Sequence, residues 1–234
     1  MNNWNGIFSL LIACIEFILI INIFIFAEKN KINYLTVLII ILLMIYQLLE
    51  WIMCGLGLDS HLIVYLTFAD ISFLPPLGLF FVLTYYKYHS KFFVLIFLPA
   101  VAFVIYYSTI IDRFNVNSCT VFYAIYRYPY GNLYGLFYYL LILIAIGFLI
   151  RGIIKSADKT EIQFSKILLT TYSLISLPVI IAFILVLIDE EMLLHSIVSV
   201  MCKFALLLAI ALTYLAINFK GTNEWNNPEY LPNN

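Results

Sequence analysis

"MLLHSIVSVMCKFALLLAIALTYLAI", residues 192–217, decides which solvent this chain folds in. It holds one full charge, Lys203, in a run longer than the ~20 apolar residues a helix needs to cross a bilayer. Six more runs of this kind precede it, at 6–27, 33–57, 62–86, 92–111, 132–154 and 164–188. The whole chain of 234 residues is 65% hydrophobic and 11% charged, with a mean hydropathy of +1.04. Soluble domains carry about 25% charged residues, so the expected solvent is lipid.

The expectation is an all-α, seven-transmembrane-helix bundle over 1–219, followed by a short polar cytoplasmic tail, 220–234. It places the chain in the cell membrane as a multi-pass protein, with the lipid bilayer as its first partner. The formal net charge of −1 gives no electrostatic footprint for nucleic acid. The amino terminus, MNNWNG, has neither a basic n-region nor a small-residue cleavage site, so the first apolar run is expected to stay as a span.

Basic residues orient the bundle. Lys29 and Lys31, then Lys87 and Lys91, then Arg151, Lys155, Lys159 and Lys166, and finally Lys220 fall on alternate connections. On the opposite side only the 112–131 loop is basic, with Arg113 and Arg127. The positive-inside rule therefore puts the amino terminus outside and the tail in the cytoplasm. The tyrosines of the long outer loop suit an interfacial belt, with a ligand lid as the alternative. Of Cys14, Cys54, Cys119 and Cys202, all but Cys119 lie in apolar runs and none form a CxxC pair, so buried free thiols are expected rather than disulfides.

The informative residues are the charges inside the spans. Each costs about 2.5–3.5 kcal/mol at mid-bilayer even on the lenient insertion scale. Glu16, Glu50, Asp70 and Lys203 come from four runs, at depths of roughly 10–16 Å from the outer ends at ~1.5 Å per residue. Gln47, Glu50 and Cys54 share one helix face, as do Thr67 and Asp70. His195, Ser199 and Lys203 make a polar stripe on the last helix, and Thr170, Ser173 and Ser176 another on the sixth; these stripes are expected to face inward. Lys203 is expected to be neutralised by at least one carboxylate. Three acids against one lysine then leave a carboxyl that is protonated, or paired with His195 or a metal. Pro75 and Pro76 in the third run and Pro178 in the sixth are expected to kink their helices and free carbonyls beside the acids. A network that only fixes helix register is the structural alternative.

Three resemblances arise at these residues. "QLLEW" (47–51), then "YLTFADISFLPPLGLFFVLTYY" (65–86) and a late cysteine, resemble an uncharacterised family of prokaryotic multi-pass membrane proteins with Gln-x-x-Glu in helix 2; that resemblance implies no activity. The layout, with a proline in helix 3 leading into "LGLFFVLTYY", also resembles the seven-helix sensor modules that precede histidine kinase or cyclase domains. With only the tail "FKGTNEWNNPEYLPNN" (219–234) after the last run, that resemblance implies a separate cytoplasmic signalling partner. Asp70, Pro76, Pro178 and Lys203 are similar to the microbial rhodopsin skeleton, which implies retinal on Lys203. However, that family's second aspartate is Ser199 here, and its aromatic walls fall at Ile71, Leu174 and Ile181.

Nothing assigns a catalytic residue, since HExxH, GxSxG and a Gly-rich phosphate loop are all missing. Glu50, Asp70, His195 and a cysteine are a conceivable metal set without ligand spacing on one helix. The expected function is a sensory or ligand-binding module whose candidate site is Glu16, Gln47, Glu50, Asp70, His195, Ser199 and Lys203. An ion- or proton-coupled transporter is the alternative, and no cofactor is assigned.

Overall fold

A computed structural model describes residues 5–88, 91–121, 124–127, 131–186 and 191–219, with backbone alone at 91–92, 125–127, 132, 179–186 and 191–202. The chain is mostly helical. Helices α1 (Ile7–Phe26), α2 (Lys31–Gly55), α3 (His61–Ser72) and α4 (Leu74–Tyr85) lead to α5 (Leu98–Ser108). Strands β1 (Asn115–Cys119) and β2 (Ala124–Arg127) follow, and α6 (Gly131–Lys155), α7 (Lys159–Val186) and α8 (Glu191–Asn218) complete the bundle. Among the described residues, four stretches are long and apolar enough to cross a membrane: Ile7–Phe26, Lys31–Gly55, His61–Tyr85 and Leu133–Lys155.

Helix α1 shows how such a helix sorts its faces. Ser9, Ile12, Ala13, Glu16, Ile20 and Ile23 are buried, at the 3–4-residue spacing of one helical face. Leu11, Phe17, Ile18, Ile21, Phe24 and Ile25 are exposed on the other. An apolar face this continuous is stable against hydrocarbon and not against water. Helix α2 is central and packs on α1, α3, α4 and α8, while α7 closes the far side between α6 and α8.

The third apolar run is one helical stretch in two pieces. Pro75 and Pro76 have no N–H for the carbonyls of Ile71 and Ser72, so α3 ends at Ser72 and α4 restarts with prolines in its first turn. The Phe73 N–H turns back to the Asp70 and Ile71 carbonyls. The continuous helix expected over 92–111 is also interrupted. Residues Lys91–Phe97 wind as a 3-10 helix, and α5 begins at Leu98 with Pro99 in its first turn. The 3-10 coil rises ~2.0 Å per residue against ~1.5 Å, so the two pieces still measure about 30 Å, one hydrocarbon thickness.

The outer loop departs most from expectation. Strands β1 and β2 form an antiparallel hairpin with an irregularity between Val116 and Ser118. Cys119 at the end of β1 is disulfide-bonded to Cys54 in the last turn of α2, with Cα atoms 5.5 Å apart. These two cysteines are therefore not free thiols. Cys14 is free but exposed, whereas a buried site was expected, and the Cys202 side chain lies outside the described residues. Around the disulfide, Asn5 Nδ2 donates to the Cys119 carbonyl and the Gly6 N–H to the Thr120 carbonyl, both at 3.1 Å. Gly6 sits at φ +72°, where a Cβ would lie 3.1 Å from the Cys54 Cβ, so turn and disulfide both require glycine there. The start of α1, the end of α2 and the hairpin are thereby tied at one end of the bundle.

Phe114, just before β1, is buried edge-on against Phe68 and Tyr107, and Tyr134 packs on Phe68. Tyr134 and Tyr138 are core residues and no part of an interfacial belt, Tyr134 packing on Phe68 and Phe103. The side chains of Tyr123, Tyr126, Tyr128 and Tyr130 lie outside the described residues.

At the opposite end, Tyr86 of the connection after α4 reaches α6 and α7. Its hydroxyl lies 2.6 Å from Ser165 Oγ, and a Cβ on Gly152 would fall 1.9 Å from that hydroxyl. Gly152→Ala is expected to expel the ring and destabilise the fold by about 1–3 kcal/mol, the usual range for overpacking. Thermal unfolding in detergent should show this loss and show it vanish in a Tyr86→Ala background; an unchanged melting temperature for the single variant would contradict the close approach.

Candidate functional site

Lys203 lies in α8 where that helix packs on both α1 and α2. Its ammonium makes three short contacts: Nζ donates to Ser9 Oγ at 2.7 Å and to Gln47 Oε1 at 2.6 Å, and lies 3.0 Å from Glu50 Oε2. An ammonium has three N–H donors. Two of them go to Ser9 and Gln47, and among the described residues the charge is met by the Glu50 carboxylate. Glu50 is 1% exposed and Ser9 and Gln47 are fully buried, so the pair is shielded from the surroundings.

Helical periodicity builds this arrangement. Gln47 and Glu50 are one turn apart on the face of α2 that meets α8, as their spacing implies. Cys54 is one turn further on, so the disulfide pins the helix end next to the ion pair. Ser9 lies in the first turn of α1, and Glu50 is about 8 Å from the end of α2 at ~1.5 Å per residue. The lysine head therefore sits close to the hairpin end of the bundle, and its alkyl stem spans the apolar layer beneath. Ser9 is the contributor that the sequence reading passed over. Its signal was available, since Ser9 and Glu16 are seven residues apart and fall on one face of α1.

The other two acids stand apart from this tripod. Glu16 is fully buried two turns below Ser9, and among the described residues neither of its carboxyl oxygens has a hydrogen-bond partner. Lys203 and Asp70 are its charged neighbours among the described residues. Asp70 is half-buried, and its Oδ2 is enclosed without a hydrogen-bond partner. The Thr67 hydroxyl on Asp70's face bonds instead to the Ile63 carbonyl at 2.9 Å. Glu50, rather than the rhodopsin-like Asp70, is the acid in contact with Lys203.

The polar stripe on α7 does not face inward. Thr170 and Ser173 are exposed and Ser176 is half-buried. Thr170 and Ser176 donate to the carbonyls of Lys166 and Tyr172, four residues back. A hydroxyl satisfied on its own helix loses its reason to seek the interior. Pro178 is buried within α7, and Pro75 and Pro76 are buried at the α3–α4 break. His195 and Ser199 are on the backbone of α8, but their side chains lie outside the described residues.

A thiolate at Cys54 is ruled out as a metal ligand by its disulfide. Among the described residues, no three His, Cys, Asp or Glu side chains come together as metal ligands would. A separate small cleft of about 40 Å³ lies at the end away from the hairpin, between Asn33, Thr36, Tyr85, Phe164, Leu215 and Phe219. No protein-family model, no curated protein and no solved structure matches this chain.

Proposed function

We propose that this chain is a seven-span sensory module of the cell membrane, with its amino terminus outside, whose buried acidic site binds a small cationic ligand. The observation carrying this reading is Glu16: a carboxyl with no exposure and no hydrogen bond, on the same helix face as a lysine-binding serine. An unpaired carboxylate in such a place is costly enough that it holds a positive partner or a proton. The orientation draws support from the basic connections and from the Cys54–Cys119 disulfide, because disulfides persist outside the reducing cytoplasm. The layout's resemblance to seven-helix sensor modules supplies the sensory half, with a separate cytoplasmic protein receiving the signal.

The bistable element is the contact of α8 with α1 and α2, which Lys203 holds at one end. Spin labels at Tyr34 and Tyr214, two exposed positions on α2 and α8, report on that contact. In nanodiscs, Glu50→Gln or a change of pH is expected to shift the distance between them by a few Å. An unchanged distance distribution would count against signalling through this contact.

Asp70 favours a second reading, proton-coupled transport, because it is a second half-buried acid beside the proline break. Proteoliposomes distinguish the two. The sensory reading expects no proton flux above that of empty vesicles, whereas a pH-driven flux abolished by Glu50→Gln would establish transport.

A further inference from the structure

Resting on the reading of a cation-binding acidic site, we infer that its ligand is a proton and that Glu16 is the group that binds it. The argument is one of available partners. Lys203 gives hydrogens to Ser9 and Gln47 and sets its charge against the Glu50 carboxylate at 3.0 Å, with no hydrogen bond to Glu16. Of the residues sharing Glu16's buried face, Ile12, Ala13, Ile20 and Ile23 bring no side-chain oxygen, and the Ser9 hydroxyl is two turns away and takes the Lys203 hydrogen. The Thr67 and Ser72 hydroxyls are turned onto the Ile63 and Phe68 carbonyls of their own helix.

A Ca²⁺ ion takes about 6–8 oxygen ligands and Mg²⁺ demands a near-ideal octahedron, and an alkali ion needs oxygens to replace its water. The two Glu16 oxygens with the enclosed Asp70 Oδ2 fall well short of either. A proton needs only one oxygen, and it turns Glu16 into a neutral side chain that the apolar face accepts.

The charged groups around Glu16 make the site responsive. Lys203 on α8 and Asp70 on α3 are the charged neighbours of Glu16 among the described residues, while Glu50 on α2 already pairs with the lysine. His195 on α8 is outside the described side chains. When Glu16 loses its proton, it becomes a second carboxylate competing for one ammonium. Lys203 then has two acids to choose between, on α1 and on α2. Protonation thus decides how Lys203 divides its hold between α1 and α2.

Infrared spectroscopy of the full chain in nanodiscs tests this directly. At neutral pH, wild type is expected to show the carbonyl-stretch band of a protonated carboxyl in an apolar setting, shifted in D₂O and lost at high pH. Glu16→Gln should remove that band, and Glu16→Asp should keep one at a displaced frequency, both with an unchanged circular dichroism spectrum. Replacing potassium with sodium should leave it untouched. Its persistence in Glu16→Gln, its complete absence from wild type at neutral pH, or its loss on adding sodium would each overturn the assignment. The spin-label distance is an independent readout, so a signalling contact that moves without a Glu16 band would sink this inference alone.

Discussion

Lys203→Met is expected to lower the stability of the chain by about 3–5 kcal/mol, the range for removing one partner of a buried ion pair. The substitution preserves the length and apolar character of the stem, so packing along α8 changes little. It leaves Glu50 1% exposed and without its cation, and it strips Ser9 and Gln47 of a donor. The partner variant, Glu50→Gln, is expected to be milder, because an amide oxygen still faces the ammonium and Ser9 and Gln47 still hold it. Lys203→Met combined with Glu50→Leu should recover most of the loss, since apolar groups can replace a buried pair at little net change. Unfolding followed by circular dichroism in mixed micelles gives the three values. Additive losses in the double variant would mean that the two side chains do not interact.

Removing the disulfide is the second large effect expected. Cys54 and Cys119 are 65 residues apart in sequence. The chain-entropy model assigns a loop of that length about 4 kcal/mol, and natural disulfides in small domains are worth about 2–5 kcal/mol. Helices that stay formed in detergent or lipid would restrict the unfolded chain, so Cys54→Ser is expected to cost about 2–4 kcal/mol. The loss should concentrate at the hairpin end, where Asn5, Gly6 and Thr120 make their contacts. Reductant should destabilise wild type by the same amount and leave Cys54→Ser unaffected. Wild type melting identically with and without reductant would remove the bond from the account.

The sequence made the long apolar helices legible because length and composition are local properties. It also made the Gln47–Glu50 face legible, since i,i+3 spacing fixes a direction on a helix whatever surrounds it. The pairing of Lys203 was inferable from the expense of the alternative. Which acid it meets was not, because that depends on how α8 packs against α1 and α2. Ser9 escaped notice because a serine is unremarkable in a span until a cation is placed opposite it.

The Cys54–Cys119 bond was hidden for the same reason: a cysteine in an apolar run and one in a loop give no spacing signal. The hairpin that brings them together depends on tertiary contacts such as Phe114 on Phe68. The polar stripe on α7 was misread through a local effect. Backbone carbonyls four residues back satisfy Thr170 and Ser176, so inward orientation gains nothing.

The ordering of the charges is the point on which everything else depends. Lys203 and Glu50 must touch for Glu16 to be the acid left over. Solid-state NMR on protein in lipid bilayers, with ¹⁵N at lysine side chains and ¹³C at glutamate carboxyls, measures this contact. A strong dipolar coupling should link Lys203 Nζ to the Glu50 carboxyl, consistent with the 3.0 Å separation, and disappear in Glu50→Gln. No coupling at that site, or one that survives Glu50→Gln because Glu16 supplies it, would contradict the arrangement.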